Sequence, residues 1–132
     1  MAAPKTRNGN TWTEGTFNSF IKSMLRRGST RWGPKYECKK NARVPLKFAN
    51  LKNRYVFHSK CASCEKIYPE TECSVDHINP IIDPTMGFLS WDKIIENLFC
   101  ELDGLQVLCK KCHDEKTQKE KLIAKSRRSI QD

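Results

Sequence analysis

Two Cys-x-x-Cys pairs, Cys61/Cys64 and Cys109/Cys112, constrain this chain more than any other feature of its sequence. Four thiolates are the complete tetrahedral shell of a structural zinc ion. The 44 residues between Cys64 and Cys109 exceed the usual interval of a zinc ribbon, so that segment must form structure of its own. The pattern predicts a zinc-stabilised fold in which the metal contributes about 10 kcal/mol or more to folding.

Three further cysteines, Cys38, Cys73 and Cys100, bring the total to seven, an odd number for a complete set of disulfides. No apolar stretch follows Met1, so we expect no secretion signal and a reducing compartment, where clustered cysteines bind metal more often than they form disulfides. We expect the three extra cysteines to be buried thiols rather than ligands.

The chain has 132 residues, about the length of one domain, and no apolar run of the roughly 18 residues that a membrane span requires. Apolar side chains at helical spacing predict helices from residue 14 to about 28 and over 91–99. Further helices are expected over 34–43 and 111–125. Two β-prone runs, 55–58 and 73–78, predict a β-hairpin around the first cysteine pair, and residues 1–12 are expected to be frayed. The predicted fold class is α+β.

The charge of the chain is divided unevenly along its length. Residues 1–60 carry 14 basic and 2 acidic side chains, a net charge of +12, whereas residues 61–132 have a net charge of −3. A strongly basic segment of this kind favours a polyanionic partner, most simply a nucleic acid.

Asp76 and His77 follow one another in the second β-prone run, and His113 directly follows Cys112. If Asp76 and His77 lie on a strand, their side chains point to opposite faces, so one can serve a metal while the other addresses a substrate. His113 is held near the zinc site by its neighbour in sequence. The spacing alone leaves open whether these residues form a functional site.

Three segments together resemble the HNH endonuclease family, and more narrowly the small HNH nucleases of bacteriophages. They are Cys61-x-x-Cys64, the run Val75-Asp76-His77-Ile78-Asn79-Pro80, and the run from Leu105 to Thr117 that contains Cys109, Cys112 and His113. The stretch from Met24 to Lys35 resembles the leader of those phage proteins. The resemblance covers roughly residues 15–120.

The resemblance implies a zinc-stapled ββα-metal core that hydrolyses DNA phosphodiester bonds. His77 would be the general base that activates water, and Asp76 and His113 would bind one catalytic divalent ion, Mg²⁺ or another such as Mn²⁺ or Ni²⁺. Cys61, Cys64, Cys109 and Cys112 would bind the structural zinc. The chemistry fits the residue types, because imidazole titrates near neutrality and can accept a proton from water.

One position departs from the family pattern. The family has an asparagine five residues before the first cysteine of the second pair, where this chain has Gly104. That asparagine helps to orient the catalytic histidine. Asp103 or Asn97 could take over this role for His77. We expect activity to be retained, and the alternative is a zinc-stabilised DNA-binding or packaging accessory protein that is catalytically impaired.

The resemblance also gives the basic half of the chain a role. It predicts double-stranded DNA as the partner, with RNA not excluded, and phosphate contacts from Lys22, Arg26, Arg27, Arg31, Lys35, Lys39, Lys40 and Arg43. We expect a basic helical extension over 1–50, the nuclease core over 51–125 and a flexible basic tail over 126–132. A monomer or weak dimer in the cytoplasm of an infected bacterial host is expected, with phage packaging proteins as further candidate partners and no membrane association.

Overall fold

The computed structural model describes residues 2–45 and 57–131, which combine helices with three small antiparallel sheets. The α+β class is therefore confirmed. The chain divides after Trp32 into two compact units. The predicted boundary after residue 50 lies outside the described residues. None of the helices in the described part of the chain is long and apolar enough to span a membrane.

The first unit contains helix α1, Glu14–Ser29, close to its predicted range. The Oγ1 atom of Thr13 caps this helix by accepting a hydrogen bond from the backbone N–H of Thr16 at 3.1 Å. Arg26 and Arg27 lie in the last turn, where positive charge interacts favourably with the helix dipole.

The prediction that residues 1–12 are frayed is wrong for residues 5–12, which belong to a hairpin. Strand β1, Lys5–Arg7, pairs antiparallel with β2, Trp12–Thr13. The turn between them uses positive φ angles at Asn8, Gly9 and Asn10, which asparagine and glycine tolerate. Arg7 donates two 2.8 Å hydrogen bonds to the Glu14 carboxylate, so the hairpin is tied to the start of α1.

Over residues 33–45 and 57–131, which the structure describes, the second unit contains three α-helices and four strands. The helices are α2, Gly33–Ala42, α3, Trp91–Leu98, and α4, Lys110–Gln131. The strands are β3, His58–Lys60, β4, Ile67–Pro69, β5, Cys73–His77, and β6, Leu105–Cys109. Single turns of 3₁₀ helix, Glu70–Glu72 and Leu102–Gly104, precede β5 and β6.

The strand pairing differs from the predicted hairpin. β3 pairs with β4 around the first cysteine pair, while β5 pairs with β6, which is distant in sequence. The predicted partner segment 55–58 lies partly outside the described residues. The β5–β6 pairing places Val75 opposite Val107 and Cys73 opposite Cys109, so apolar side chains contact one another across the two strands.

Helix α2 covers one face of the β5–β6 pair. Cys38 of α2 is buried against Leu105 and Val107, with Ala42 and Val75 at the edge of this cluster. α2 therefore packs in the second unit, whereas we predicted that it belongs to a helical extension over residues 1–50. α2 packs here because Cys38 and Ala42 form an apolar side of this short helix. The prediction did not include this side because lysine and arginine predominate in the segment.

The other two helices follow β5 and β6 in the chain. The prediction of α3 is confirmed, and its cap is Ser90, whose Oγ accepts from the Lys93 backbone N–H at 3.2 Å. α4 begins directly after Cys109 and was predicted to end near Lys125, with a flexible tail beyond. It continues to Gln131, because neither glycine nor proline interrupts residues 126–131.

Candidate metal centre and adjoining polar site

The two cysteine pairs meet at one end of the β5–β6 sheet. Cys61 directly follows β3, Cys109 ends β6, and Cys112 lies in the first turn of α4. The backbone N–H of Ala62 donates to the Val107 carbonyl at 2.8 Å, which ties the first pair to β6. The four Sγ atoms of the two pairs lie within 4.8 Å of one another. This arrangement can bind a metal ion, and four thiolates are the donor set that suits structural zinc.

The surroundings of the first pair favour thiolates. Burial raises the pKa of the Cys61 thiol, but hydrogen bonds from the backbone of Cys109, Cys64 and Ser63 outweigh it and bring the pKa to about 6. The pKa of Cys64 is lowered by the backbone N–H of Lys66 and by the Tyr68 hydroxyl. These hydrogen bonds favour the thiolate form of Cys61 and Cys64, which is the form that binds a metal ion. Hydrogen bonding to Cys109, by contrast, raises the pKa of Cys112.

The three extra cysteines lie together in the apolar cluster between α2 and the sheet. Cys38 is buried there, and Cys73 and Cys100 pack against it. Burial raises the pKa of all three thiols, that of Cys73 to about 11. The expectation of a buried thiol is therefore confirmed for Cys38, whereas Cys73 and Cys100 are half-buried.

Asp76 points to the side of the sheet on which α4 lies. Its Oδ2 atom accepts a hydrogen bond from Lys116 Nζ at 2.7 Å and from Gln106 Nε2 at 3.1 Å. Gln106 is the cross-strand partner of Asp76, and Lys116 also donates to the carbonyl of His77. The Asp76 side chain is only 13% exposed, so its carboxylate is a largely buried anion with a cation in contact.

His77 is the last residue of β5, so its side chain leaves the sheet on the face opposite Asp76. Its Nε2 atom lies 2.9 Å from the carbonyl oxygen of Leu98. Because a carbonyl can only accept, Nε2 carries a proton in this hydrogen bond, and the lone pair of the corresponding neutral tautomer lies at Nδ1. The ring is therefore oriented by a backbone group and has one nitrogen that can accept a proton.

His113 lies in the first turns of α4, one residue after Cys112. Its side chain is 39% exposed, and Nδ1 lies 3.8 Å from the Asp114 carboxylate. Residues three apart on a helix share a face, so His113 is on the same face of α4 as Lys116, which contacts Asp76. His113 thus lies about one helical turn before Lys116, the residue that contacts the Asp76 carboxylate.

The two residues predicted to orient His77 have other surroundings. Asn97 Nδ2 donates to the Ile81 carbonyl at 3.0 Å and so holds the loop that follows His77. Asp103 is exposed in the 3₁₀ turn before β6. In the described part of the chain, the hydrogen bond that orients His77 is the one that its Nε2 atom donates to the Leu98 carbonyl. This contact could not be predicted, because every residue has a backbone carbonyl and the side-chain pattern does not indicate which one accepts from His77.

Gly104 is glycine for a steric reason. A Cβ atom at this position would lie 2.9 Å from Cys100 Sγ and 3.2 Å from Cys100 Cβ. The Gly104 carbonyl accepts the backbone N–H of Ile78 at 2.9 Å, which joins this turn to the residue after His77. The volume that an asparagine side chain would need is thus occupied by Cys100.

We expect Gly104→Ala to destabilise the protein by about 1–3 kcal/mol, the usual cost of overpacking a filled site. Replacing Cys100 with alanine in the same background removes the Sγ atom and should recover part of this loss. Urea unfolding of the two single variants and the double variant measures both effects. Equal destabilisation by Gly104→Ala with and without Cys100 would contradict the steric explanation.

The eight basic residues predicted to contact DNA have different surroundings. In the first unit, Arg26, Arg27 and Arg31 are exposed and Lys22 is half-buried. In the second unit, Lys39 and Lys40 are exposed, while Lys35 is half-buried and burial lowers its pKa.

Arg43 differs from the other predicted DNA contacts, because its guanidinium is engaged within the second unit. Its Nε atom donates to Glu70 at 3.0 Å, and the group lies 3.7 Å from the ring centroid of Phe57. An arginine held by a carboxylate and an aromatic ring stabilises the start of the β3–β4 hairpin, and the phosphate contact of Arg43 stays a prediction.

Lys116 and Gln106 are the polar residues of this site to which the sequence analysis assigned no role. The available signal was the spacing of three between His113 and Lys116, which places both on one face of α4. The contact of Gln106 with Asp76 depends on the register of β5 and β6, which the sequence pattern did not predict.

No protein-family model, no curated protein and no solved structure matches this chain. What the site does is therefore inferred from its side chains and their geometry.

Proposed function

We propose that this chain is a metal-dependent HNH-type endonuclease that hydrolyses phosphodiester bonds in DNA. The observation that carries the proposal is the setting of Asp76 and His77 at the end of β5. One is a carboxylate that already contacts a cation, and the other is an imidazole whose Nε2 donates to the Leu98 carbonyl, which leaves Nδ1 as the proton acceptor. Both lie on β5 of the β5–β6 pair, and the cysteine pairs, this strand pair and α4 follow one another in the order that the sequence resemblance implies.

His77 is the general base in this proposal. The hydrogen bond from Nε2 to the Leu98 carbonyl holds the ring and leaves Nδ1 to remove a proton from the attacking water. The same carbonyl stabilises the imidazolium that results, because the Nε2–H bond strengthens when the ring becomes positively charged. Leu98 thereby supplies the orientation for which the resembled family uses its asparagine.

Asp76 and His113 would hold a divalent ion. The fit of this site to a cation rests on the Asp76 carboxylate, which is largely buried and has the Lys116 ammonium against it at 2.7 Å. An ion bound by one carboxylate and one imidazole would keep positions open for phosphate oxygens and stabilise charge on the phosphate and on the leaving 3′ oxygen. The resemblance implies products with 5′-phosphate and 3′-hydroxyl ends.

The exposed basic residues of the two units supply the electrostatic attraction to DNA. Arg26, Arg27 and Arg31 in the first unit and Lys39 and Lys40 in the second reach solvent and can contact phosphates. None of these residues forms a base-specific pattern, so we propose weak sequence specificity.

A second candidate function is a zinc-stabilised DNA-binding protein without catalysis. The observation that favours it is Gly104, at which the family asparagine is missing and Cys100 occupies the adjoining space. Such a protein would retain affinity for DNA and would not cut it.

A supercoiled-plasmid assay with zinc-loaded protein separates the two functions. The protein is incubated without added ion and with Mg²⁺, Mn²⁺ or Ni²⁺, and nicked and linear DNA are quantified, with a single-stranded RNA in parallel. The nuclease proposal expects cutting of DNA that depends on the added ion. Retarded migration of DNA in a gel without any cutting in the three ions would favour the binding protein.

A further inference from the structure

The ammonium group of Lys116 is surrounded by oxygen atoms from three residues. Its Nζ atom lies 2.7 Å from Asp76 Oδ2 and 3.3 Å from Glu120 Oε1, and it also donates to the His77 carbonyl. The side chain of Lys116 is 26% exposed, and those of Asp76 and Glu120 are 13% and 32% exposed. Two carboxylates and a carbonyl around a half-buried ammonium form a site for a cation.

Oxygen donors of this kind also bind Mg²⁺ and Mn²⁺. Asp76 Oδ2 accepts hydrogen bonds from Lys116 and from Gln106, so an ion that binds this oxygen displaces one of the two donors. Gln106 is fixed opposite Asp76 by the strand register, whereas Lys116 has a long side chain and a second carboxylate within reach. Lys116 is therefore the group that an incoming ion displaces.

We propose that Lys116 is a resident cation that competes with the divalent ion for Asp76 and moves to Glu120 when the ion binds. This inference rests on the proposed function, since it takes Asp76 as the ion's ligand. The ammonium keeps the affinity of the free protein for the ion low, and Glu120 limits this effect because it retains the displaced ammonium. Lys116 and Glu120 are positioning residues in this scheme.

The test measures Mn²⁺ binding to zinc-loaded protein by calorimetry, without DNA. Lys116→Met removes the competing charge at nearly constant size and is expected to tighten Mn²⁺ binding about tenfold, on the scale of a partly buried charge pair. Glu120→Gln removes the second position of the ammonium and is expected to weaken binding about threefold. Lys116→Arg keeps the charge and should bind Mn²⁺ like the unmodified protein.

Two controls separate competition from a general effect of charge. Lys119→Met removes a lysine from an exposed position on the same helix and should leave Mn²⁺ affinity within about twofold. In the double variant Lys116→Met/Glu120→Gln, the effect of Glu120→Gln should largely disappear, because Glu120 acts through Lys116. Additive changes in the double variant would mean that both residues act only by their charge.

Mn²⁺ binding by Lys116→Met that is no tighter than that of the unmodified protein overturns the inference. Lys116→Gln, an uncharged variant that can still donate to Asp76, carries the same expectation if the methionine variant loses its zinc. The result is independent of cleavage. Tighter binding by Lys116→Met in a protein that never cuts DNA supports a guarded cation site and removes the nuclease proposal. Cutting of DNA with unchanged binding by Lys116→Met does the reverse.

Discussion

His77→Ala is expected to lower the rate of plasmid nicking by about 10²–10⁴-fold, the usual contribution of a general base. The reason is that Nδ1 of His77 is the nitrogen left free to take a proton from water, since Nε2 donates to the Leu98 carbonyl. The side chain is at the end of β5 and outside the zinc cluster, so folding and zinc content should be preserved. The measurement is the initial rate of nicking at saturating divalent ion.

Asp103→Asn is the matched control for this experiment. Asp103 was predicted as a partner of His77, but it is exposed in the 3₁₀ turn and the Leu98 carbonyl makes the orienting bond. We expect Asp103→Asn to nick at a rate within about twofold of the unmodified protein, as exposed positions usually tolerate substitution. A His77→Ala protein that is folded, zinc-loaded and as active as the unmodified protein would remove His77 as the base.

Cys109→Ser is expected to abolish cooperative unfolding of the second unit and to reduce bound zinc to well below one equivalent. Cys109 ends β6 directly before α4, is 3% exposed and contributes one of the four thiols. A structural zinc site contributes about 10 kcal/mol or more, which equals or exceeds the net stability of about 5–15 kcal/mol typical of a domain. Zinc content by atomic absorption and thermal unfolding by circular dichroism measure the two effects.

Cys73→Ser provides the comparison, because Cys73 is directly opposite Cys109 in the sheet and is not among the four clustered thiols. We expect this variant to keep its zinc and to lose only about 1–2 kcal/mol, the cost of placing a hydroxyl in a mostly apolar cluster. Similar zinc loss in both variants would show that the metal site differs from the four-cysteine cluster.

The parts of the fold that could be predicted are those specified by local pattern. α1 and α3 follow from apolar residues at helical spacing and from the caps Thr13 and Ser90. The pairing of β5 with β6 could not be predicted in the same way, because a strand of five residues carries no information about its partner. The helical continuation of α4 was missed because a run of lysines and arginines is typical of a tail as well as of an exposed helix.

The residues of the candidate site also differ in whether local pattern or tertiary packing indicates their role. Its cysteines, Asp76, His77 and His113 were identified because their chemistry and spacing are unusual in a chain of this size. Lys116 and the Leu98 carbonyl were not assigned a role, although they decide which nitrogen of His77 is free and which cation contacts Asp76. Both contacts join segments about 20 to 40 residues apart, so they exist only after the strands and helices have packed.

By itself the sequence determined the donor set of the candidate metal centre, the order of its elements and the difference in net charge between the first 60 residues and the rest. These depend on residue type and short spacing. The tertiary structure decided the surroundings of those residues: the ammonium against Asp76, the orientation of His77 and the steric demand at Gly104. The physical reason is that burial and hydrogen bonding depend on which distant segments come into contact, and only the packed chain determines this.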